Sequence, residues 1–372
     1  TPACFVMRFM EGKEMKAKVG VVGAGTYGSV LINAYYGAHR RGEIEFAAIA
    51  DINPDTLKSM DEKYGIKGYT DYREMFDKEG LDAVAVVTPD YLHEEVVLEA
   101  AKRKIHILAQ KPLSTDIEQG KRMIQAAKEN NVMLYVDFHK RFDPAHIQLR
   151  NAIKEGKLGE IEYGYVCMED KILVPSVWFK NWAQNSSPAW FIGIHFFDLI
   201  YWLLGEKPVR VYASGIKKKL TSMGIDTYDS LQSKFEFASG ASITVDASWI
   251  LPNSFSSIVN QQIRLVGTEG FQEVDSQDRG VVAAYNADSY SHVVNPYGNM
   301  MIDDPVAGPV PSGYCIESML FFLQLVNRMK DGTALKELEG LYPTGEEAIV
   351  STIMCQYAHM SAETGRILDI EY

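Results

Sequence analysis

Residues 18–28 read Lys-Val-Gly-Val-Val-Gly-Ala-Gly-Thr-Tyr-Gly, and this stretch decides the fold. A short apolar β-type run enters a GxGxxG turn, and the residues from Ser29 to Ala38 carry a helical pattern. Such a glycine motif is weak evidence when it stands alone. Here a strand precedes it, a helix follows, and a second strand ends in Asp51, 23 residues beyond Gly28. That is the context a dinucleotide-binding βαβ unit requires. Gly23 permits the tight turn, Gly25 lets a pyrophosphate approach the backbone, and Gly28 allows helix and strand to pack closely. Thr26 and Tyr27 open the helix, whose N-terminal N–H groups and dipole favour phosphate, and both are assigned with the glycines to the cofactor. Asp51 stands where a carboxylate accepts from ribose hydroxyls and repels a 2′-phosphate, and no Arg or Lys follows it directly. NAD is therefore favoured over NADP.

Working outward, strands are predicted over 18–23, 46–51, 83–88, 105–109 and 132–138, separated by helical segments. Their runs lack polar alternation, as strands covered on both faces should. Asn53-Pro54 reads as an N-cap followed by proline at the first helical position. Thr115 with Glu118 reads as a capping box for a helix ending near Asn130. Beyond Leu158 the strands lengthen and alternate, over 160–170, 209–217, 230–238, 241–250 and 261–266, with a hairpin turn across 235–241. Residues 276–314 are rich in Gly, Pro, Asn, Asp and Ser and read as a long loop that covers a site or makes oligomer contacts. No internal repeat is visible.

A length of 372 residues suits two domains, and 47% hydrophobic with 23% charged residues is ordinary for a globular protein. The net charge of −12, with no basic stripe, argues against nucleic acid as a partner. Lys217-Lys218-Lys219 reads as a solvated strand end. Cysteines 4, 167, 315 and 355 are scattered and show no metal-ligand spacing, which points to free thiols in the cytoplasm and to no metal site. The most apolar run, 190–204, is interrupted by His195 and Asp198, so no membrane span is expected. Residues 1–15 read as a leader or expression remnant.

Val87-Thr88-Pro89-Asp90-Tyr91-Leu92-His93 and Gln110-Lys111-Pro112 follow the third and fourth predicted strands. The pair resembles the TPxxxH and EKP motifs of the Gfo/Idh/MocA oxidoreductases. The resemblance continues through Phe138-His139-Lys140-Arg141-Phe142-Asp143-Pro144, Gly156–Ile161, Gly193-Ile194-His195-Phe196-Phe197-Asp198, Gly267-Thr268-Glu269-Gly270 and the segment 345–369. It implies an α/β Rossmann domain over 16–138 and an α+β C-terminal domain over 139–372 with an open, mostly antiparallel sheet. The terminal helix would pack back on the first domain. It further implies a homodimer or homotetramer acting on a small carbohydrate or cyclitol.

By this resemblance Lys111 is the catalytic lysine that hydrogen-bonds the reacting oxygen, His195 is the catalytic histidine, and Thr88, Pro89, His93, Gln110 and Lys111 itself line the cofactor. Lys140 and Asp198 are placed at the substrate, with Asp198 as an orienting or structural partner of His195; Trp178, which flanks with Trp182 and Trp190 the loop before that helix, is assigned there because aromatic faces suit the C–H face of a sugar or cyclitol. Two departures stand out. Gln110 replaces the usual glutamate, and Phe191 stands where the family carries an aspartate one turn before the histidine. The implied activity is NAD-dependent oxidation of a secondary hydroxyl of a sugar, glycoside or cyclitol, or the reverse reduction. An NAD-dependent glycoside hydrolase working by transient oxidation and a non-catalytic NAD- or sugar-sensing regulator are the alternatives.

Overall fold

The computed structural model describes residues 16–275, 281–283, 290–295 and 297–372. The expected leader at 1–15, with Cys4, lies outside them. Six strands form the first sheet: β1 (Lys18–Val22), β2 (Glu45–Ala50), β3 (Lys67–Tyr69), β4 (Ala83–Val86), β5 (His106–Ala109) and β6 (Leu134–Val136). They lie in the order β3-β2-β1-β4-β5-β6, every pair parallel. The chain direction across the sheet reverses between β1 and β4, the switch point where open α/β sheets bind ligands.

Helices α1 (Thr26–Arg40), α2 (Pro54–Tyr64), α3 (Tyr72–Glu79), α4 (His93–Lys102) and α5 (Ile117–Asn130) connect these strands. Asn53 caps α2 by accepting from the N–H of Asp55, and Pro54 opens it. The start of α5 differs from expectation. Asp116, not Thr115, is the cap, and it accepts from the N–H of Gln119 at 2.8 Å. A carboxylate one residue later serves that helix end better, because it satisfies an unpaired N–H and meets the positive end of the dipole. Strand β3 is also an addition to the expectation. It has three residues, of which Lys67 and Gly68 are exposed, too few to show a period.

After α6 (Pro144–Lys154) comes the second sheet: β7 (Ile161–Lys171), β8 (Pro208–Ile216), β9 (Ser230–Phe237), β10 (Ser242–Leu251), β11 (Val259–Gly267) and β12 (Phe271–Asp275). Its order is β12-β11-β7-β10-β9-β8, closed at the edge by β17 (Leu368–Asp369). All neighbours are antiparallel except β7 and β10. Inward residues alternate with outward ones along β9 and β10, and Gly240 turns the hairpin between them at φ +95°. Within 276–314 the described residues form two hairpins rather than the expected loop: β13 (Val281–Ala283) with β14 (His292–Val294), and β15 (Met300–Asp304) with β16 (Gly308–Ser312).

Helix α7 (Ile194–Leu204) is apolar nearly all round and mostly buried, and a π-helical turn, Ala189–Gly193, leads into it. Two further helices, α8 (Tyr314–Lys330) and α9 (Gly345–Thr364), return to the first sheet. Tyr135 on β6 donates to the Ser318 carbonyl at 2.9 Å, and the N–H of Val136 donates to the Pro343 carbonyl at 2.9 Å. One core unites α1 with α8 on one face of the first sheet. The other runs from α4 and α5 through α7 and α9 into the second sheet. The two sheets therefore share a continuous interior, and the edge of β4, β5 and β6 opens onto it.

Candidate active site

The cofactor cradle is built as its sequence demands. Gly23 has φ +99°, and a Cβ there would sit 2.5 Å from the Val87 carbonyl oxygen. A Cβ on Gly28 would lie 2.3 Å from the Gly23 oxygen, so only glycine lets α1 pack this close to the turn. Gly25 is exposed, has open space where a Cβ would point, and supplies no side-chain cap to α1. The first N–H groups of the helix are thus free to meet phosphate. Thr26 is exposed beside it, while Tyr27 is half-buried with an unpartnered hydroxyl near Asp137 and Tyr314. Asp51 accepts from the N–H of Ala24 at 2.7 Å and from that of Asn53 at 2.9 Å, so it also holds the turn together.

Thr88 and Pro89 are half-buried after β4, and the Thr88 hydroxyl has no partner. The buried His93 ring lies 2.9 Å from the Pro112 carbonyl and 3.1 Å from the Thr88 carbonyl, so it braces two loops.

Lys111 follows β5, and its peptide to Pro112 is cis. Its ammonium donates to the carbonyl oxygen of Phe191 and lies 4.3 Å from the centre of that residue's ring. Burial pushes its pKa down to about 8, against the opposing charges of Asp170, Asp90 and Asp137. Gln110 donates to Asp137 at 2.6 Å, and Ser318 donates to the other oxygen of Asp137. The negative charge absent from position 110 is thus present one layer behind it, with burial raising Asp137 to about 6.

His195 is 3% exposed, its Nδ1 has no partner, and its ring centre lies 4.4 Å from that of His139. Burial, then the positive charge of Lys111, holds it well below the ordinary histidine value, so the imidazole is neutral. Asp198 does not orient it. Both Asp198 oxygens are taken by Arg141, at 2.8 and 2.6 Å, and Arg141 also pairs with Glu347 on α9. This corrects the substrate-side role expected of Asp198, because a fully buried carboxylate with a bidentate guanidinium has its charge satisfied within the fold.

Lys140 is 2% exposed, donates to Gln261 on β11, and lies 3.1 Å from the Tyr314 hydroxyl. Among the aromatic residues, Trp182 joins Phe179, Phe191 and Trp249 in one wall, with ring centres 4.4 to 6.3 Å apart. Trp178 is 42% exposed at the end of the turn Val174–Trp178, and Trp190 stacks in the core on His359. The sequence reading missed Asp137, His139 and Asp170. A signal existed for two of them: Asp137 is the acid in an otherwise apolar buried strand, and Asp170 falls on the inward phase of β7, with Gly164, Val166 and Met168. Among the described residues, no group of three His, Cys, Asp or Glu is placed to hold a metal ion.

Fold and site together define a two-domain Rossmann oxidoreductase. Residues 17–138 match the NAD-binding Rossmann domain of the Gfo/Idh/MocA oxidoreductase family and residues 146–273 match that family's C-terminal domain; the chain belongs to this family. It is 29% identical over 261 residues to myo-inositol 2-dehydrogenase of Thermotoga maritima, covering 68% of this chain and 73% of the relative. With D-glucoside 3-dehydrogenase of Escherichia coli it shares 28% identity over 258 residues, 65% of this chain and 73% of the relative. The crystal structure of scyllo-inositol dehydrogenase from Lactobacillus casei with NAD(H) and scyllo-inositol has the same fold, with TM-score 0.74 over 95% of this chain and 99% of that one at 18% identity.

Proposed function

We propose that this protein is an NAD-dependent dehydrogenase that oxidises a secondary hydroxyl of a sugar, glycoside or cyclitol, or reduces the corresponding ketone. The observation that carries the reading is the placing of half-buried Lys111 near buried His195 at the edge of β4, β5 and β6, beside a cradle whose shape suits NAD. NAD, held in this cradle, would supply the acceptor for the hydride of the carbinol carbon. Gly23, Gly25 and the start of α1 hold the phosphates, and Asp51 receives ribose hydroxyls. Lys111, as an ammonium, donates a hydrogen bond to the reacting oxygen and stabilises negative charge there. Neutral His195 has a free Nδ1 to accept the hydroxyl proton. Lys140 and the aromatic wall around Phe191 suit the hydroxyls and C–H faces of a polyol. The names of the relatives, which act on inositols and glucosides, support that substrate class.

A cytoplasmic homo-oligomer, dimer or tetramer, completes the reading. Tyr163, Tyr165, Tyr212 and Phe271 are 47 to 63% exposed on the outer face of the second sheet, an apolar area suited to a second copy. Light scattering reads the assembly. Incubation of the protein and NAD with a panel of cyclitols and glycosides tests the chemistry. Net NADH formation supports the dehydrogenase, whereas cleavage without NADH would replace it with the hydrolase, and binding without either would replace it with the sensor.

A further inference from the structure

Phe191 is packed against Phe179, Trp182 and Trp249, so the side of Lys111 that meets Phe191 is lined by aromatic rings. Half-buried Lys111 and buried Lys140 nevertheless bring two ammonium groups near one another around a buried carboxylate, and cations so placed need a counter-charge. Three buried carboxylates act on Lys111: Asp170, Asp90 and Asp137. Two of them are engaged. Asp90 accepts from Ser186 at 2.6 Å and from the N–H of Tyr91 at 2.9 Å, while Asp137 accepts from Gln110 and Ser318. Asp170 is 2% exposed and its Oδ1 has no partner.

The register of the second sheet places Asp170 among these groups. Asp170 pairs with Val259 and Met168 with Gln261 across β7 and β11. Asp170 and Gln261 are therefore diagonal neighbours on the inward face, roughly 7–8 Å apart at the backbone. Gln261 is the residue that receives the Lys140 ammonium. On the other side Ile172, two residues beyond Asp170, packs on the same Trp249 cluster as Phe179 and Phe191, the wall against which Lys111 lies.

We propose that Asp170 is the anion of this site: a buried carboxylate that is paired through space with Lys111 and Lys140, without a direct ion pair to either, and that keeps Lys111 in its ammonium form in place of a carboxylate at position 191. What that ammonium does to a substrate rests on the dehydrogenase reading; the pairing itself does not. Asp170 acts through Lys111 and is a positioning residue.

The surrounding charges fit. Burial raises Asp170 to about 7 and Lys111 and Lys140 oppose the rise, while Lys111 is held at about 8. Between those values the carboxylate and the ammonium coexist. His195 and His139 are kept neutral by burial and by the two lysines. Glu169 is engaged by Asn260 at 2.8 Å, and Lys171 lies over the Tyr290 ring.

The test reads the proton on Lys111. Acetylation of Lys111 in the full chain by limiting acetic anhydride is followed against pH by mass spectrometry, since only the neutral amine reacts. The unmutated protein should show a midpoint near 8. Asp170→Asn should move it down by about one pH unit or more, and Asp170→Glu should bring it back. Asp170→Ser is a second neutral variant should the asparagine not fold. A folded neutral variant with an unmoved midpoint overturns the proposal. Each variant is also assayed for NADH with myo-inositol and methyl β-D-glucoside. A shifted midpoint in a chain that oxidises neither supports the Asp170 pairing and counts against the dehydrogenase reading.

Discussion

The Lys111 ammonium rests on Phe191 twice, donating to its carbonyl oxygen and lying 4.3 Å above its ring. A position that lacks a carboxylate thus still fixes the lysine, through backbone and π-face in place of charge. Lys111→Met should leave NAD affinity nearly unchanged in calorimetry yet lower NAD reduction by on the order of 10²-fold. Phe191→Asp should not raise turnover. It sets a carboxylate among Phe179, Trp182 and Trp249 and should cost roughly 2–4 kcal/mol in urea denaturation.

Gln110 and Asp137 make a second substitution of one group for another. Gln110→Glu, which restores the residue usual in the family, would set two carboxylates at the 2.6 Å contact now made by an amide and an acid. They would share a proton, so the variant should be less stable by on the order of 2 kcal/mol at pH 8 and recover as pH falls. Gln110→Glu combined with Asp137→Asn should recover most of that loss at pH 8. Additive losses in the double variant would show that the pair does not couple.

Most of the Rossmann half was legible because its signals are local: a glycine motif with steric reasons, apolar strands and caps such as Asn53. Lys111 and His195 were legible as motif positions, and the structure brings them near one another. What sequence spacing could not give was partnership across elements. Asp198 lies three residues from His195 on one helix face, yet Arg141, 57 positions away, claims it. Likewise the anions that stand in for the charges missing at 110 and 191 are Asp137, just after β6, and Asp170 on β7, so their relation to Lys111 exists only once the two sheets share an interior.

Asp198→Asn should separate folding from chemistry. It leaves Arg141 buried with one carboxylate partner, Glu347, and should cost about 3–5 kcal/mol of stability. Turnover per folded molecule should stay within about threefold, which active-site titration against the folded fraction measures. A hundredfold loss in a fully folded variant would return Asp198 to the reacting centre.

Asp51→Ala removes two backbone acceptor contacts and the charge that repels a 2′-phosphate. NAD should weaken, the preference over NADP should narrow, and stability should fall by about 1–2 kcal/mol. Equal affinity for the two cofactors in the unmutated protein would remove the assignment of Asp51.

His195 sets the last expectation, through the sign of its shift. Its folded pKa lies well below the ordinary value because burial, then Lys111, disfavours the imidazolium. Oxidation should therefore not lose its base at pH 6.5; the rise with pH should instead follow Asp170 at about 7, and the fall should follow Lys111 at about 8. His195→Asn should lower turnover by on the order of 10²-fold or more while its residual activity keeps the limb near 7. Linkage gives an independent reading. An unfolded histidine takes up a proton below about 6.5 that folded His195 refuses, so its contribution to stability is lost as pH falls through that value. Raised Asp137 and Asp170 contribute with the opposite sign, since the folded state binds their protons first. The difference in stability between the unmutated protein and His195→Asn, measured by urea denaturation from pH 8 to 5, should accordingly shift toward the variant as acid is added. A constant difference across that range would mean that His195 titrates in the folded protein as it does in the unfolded chain.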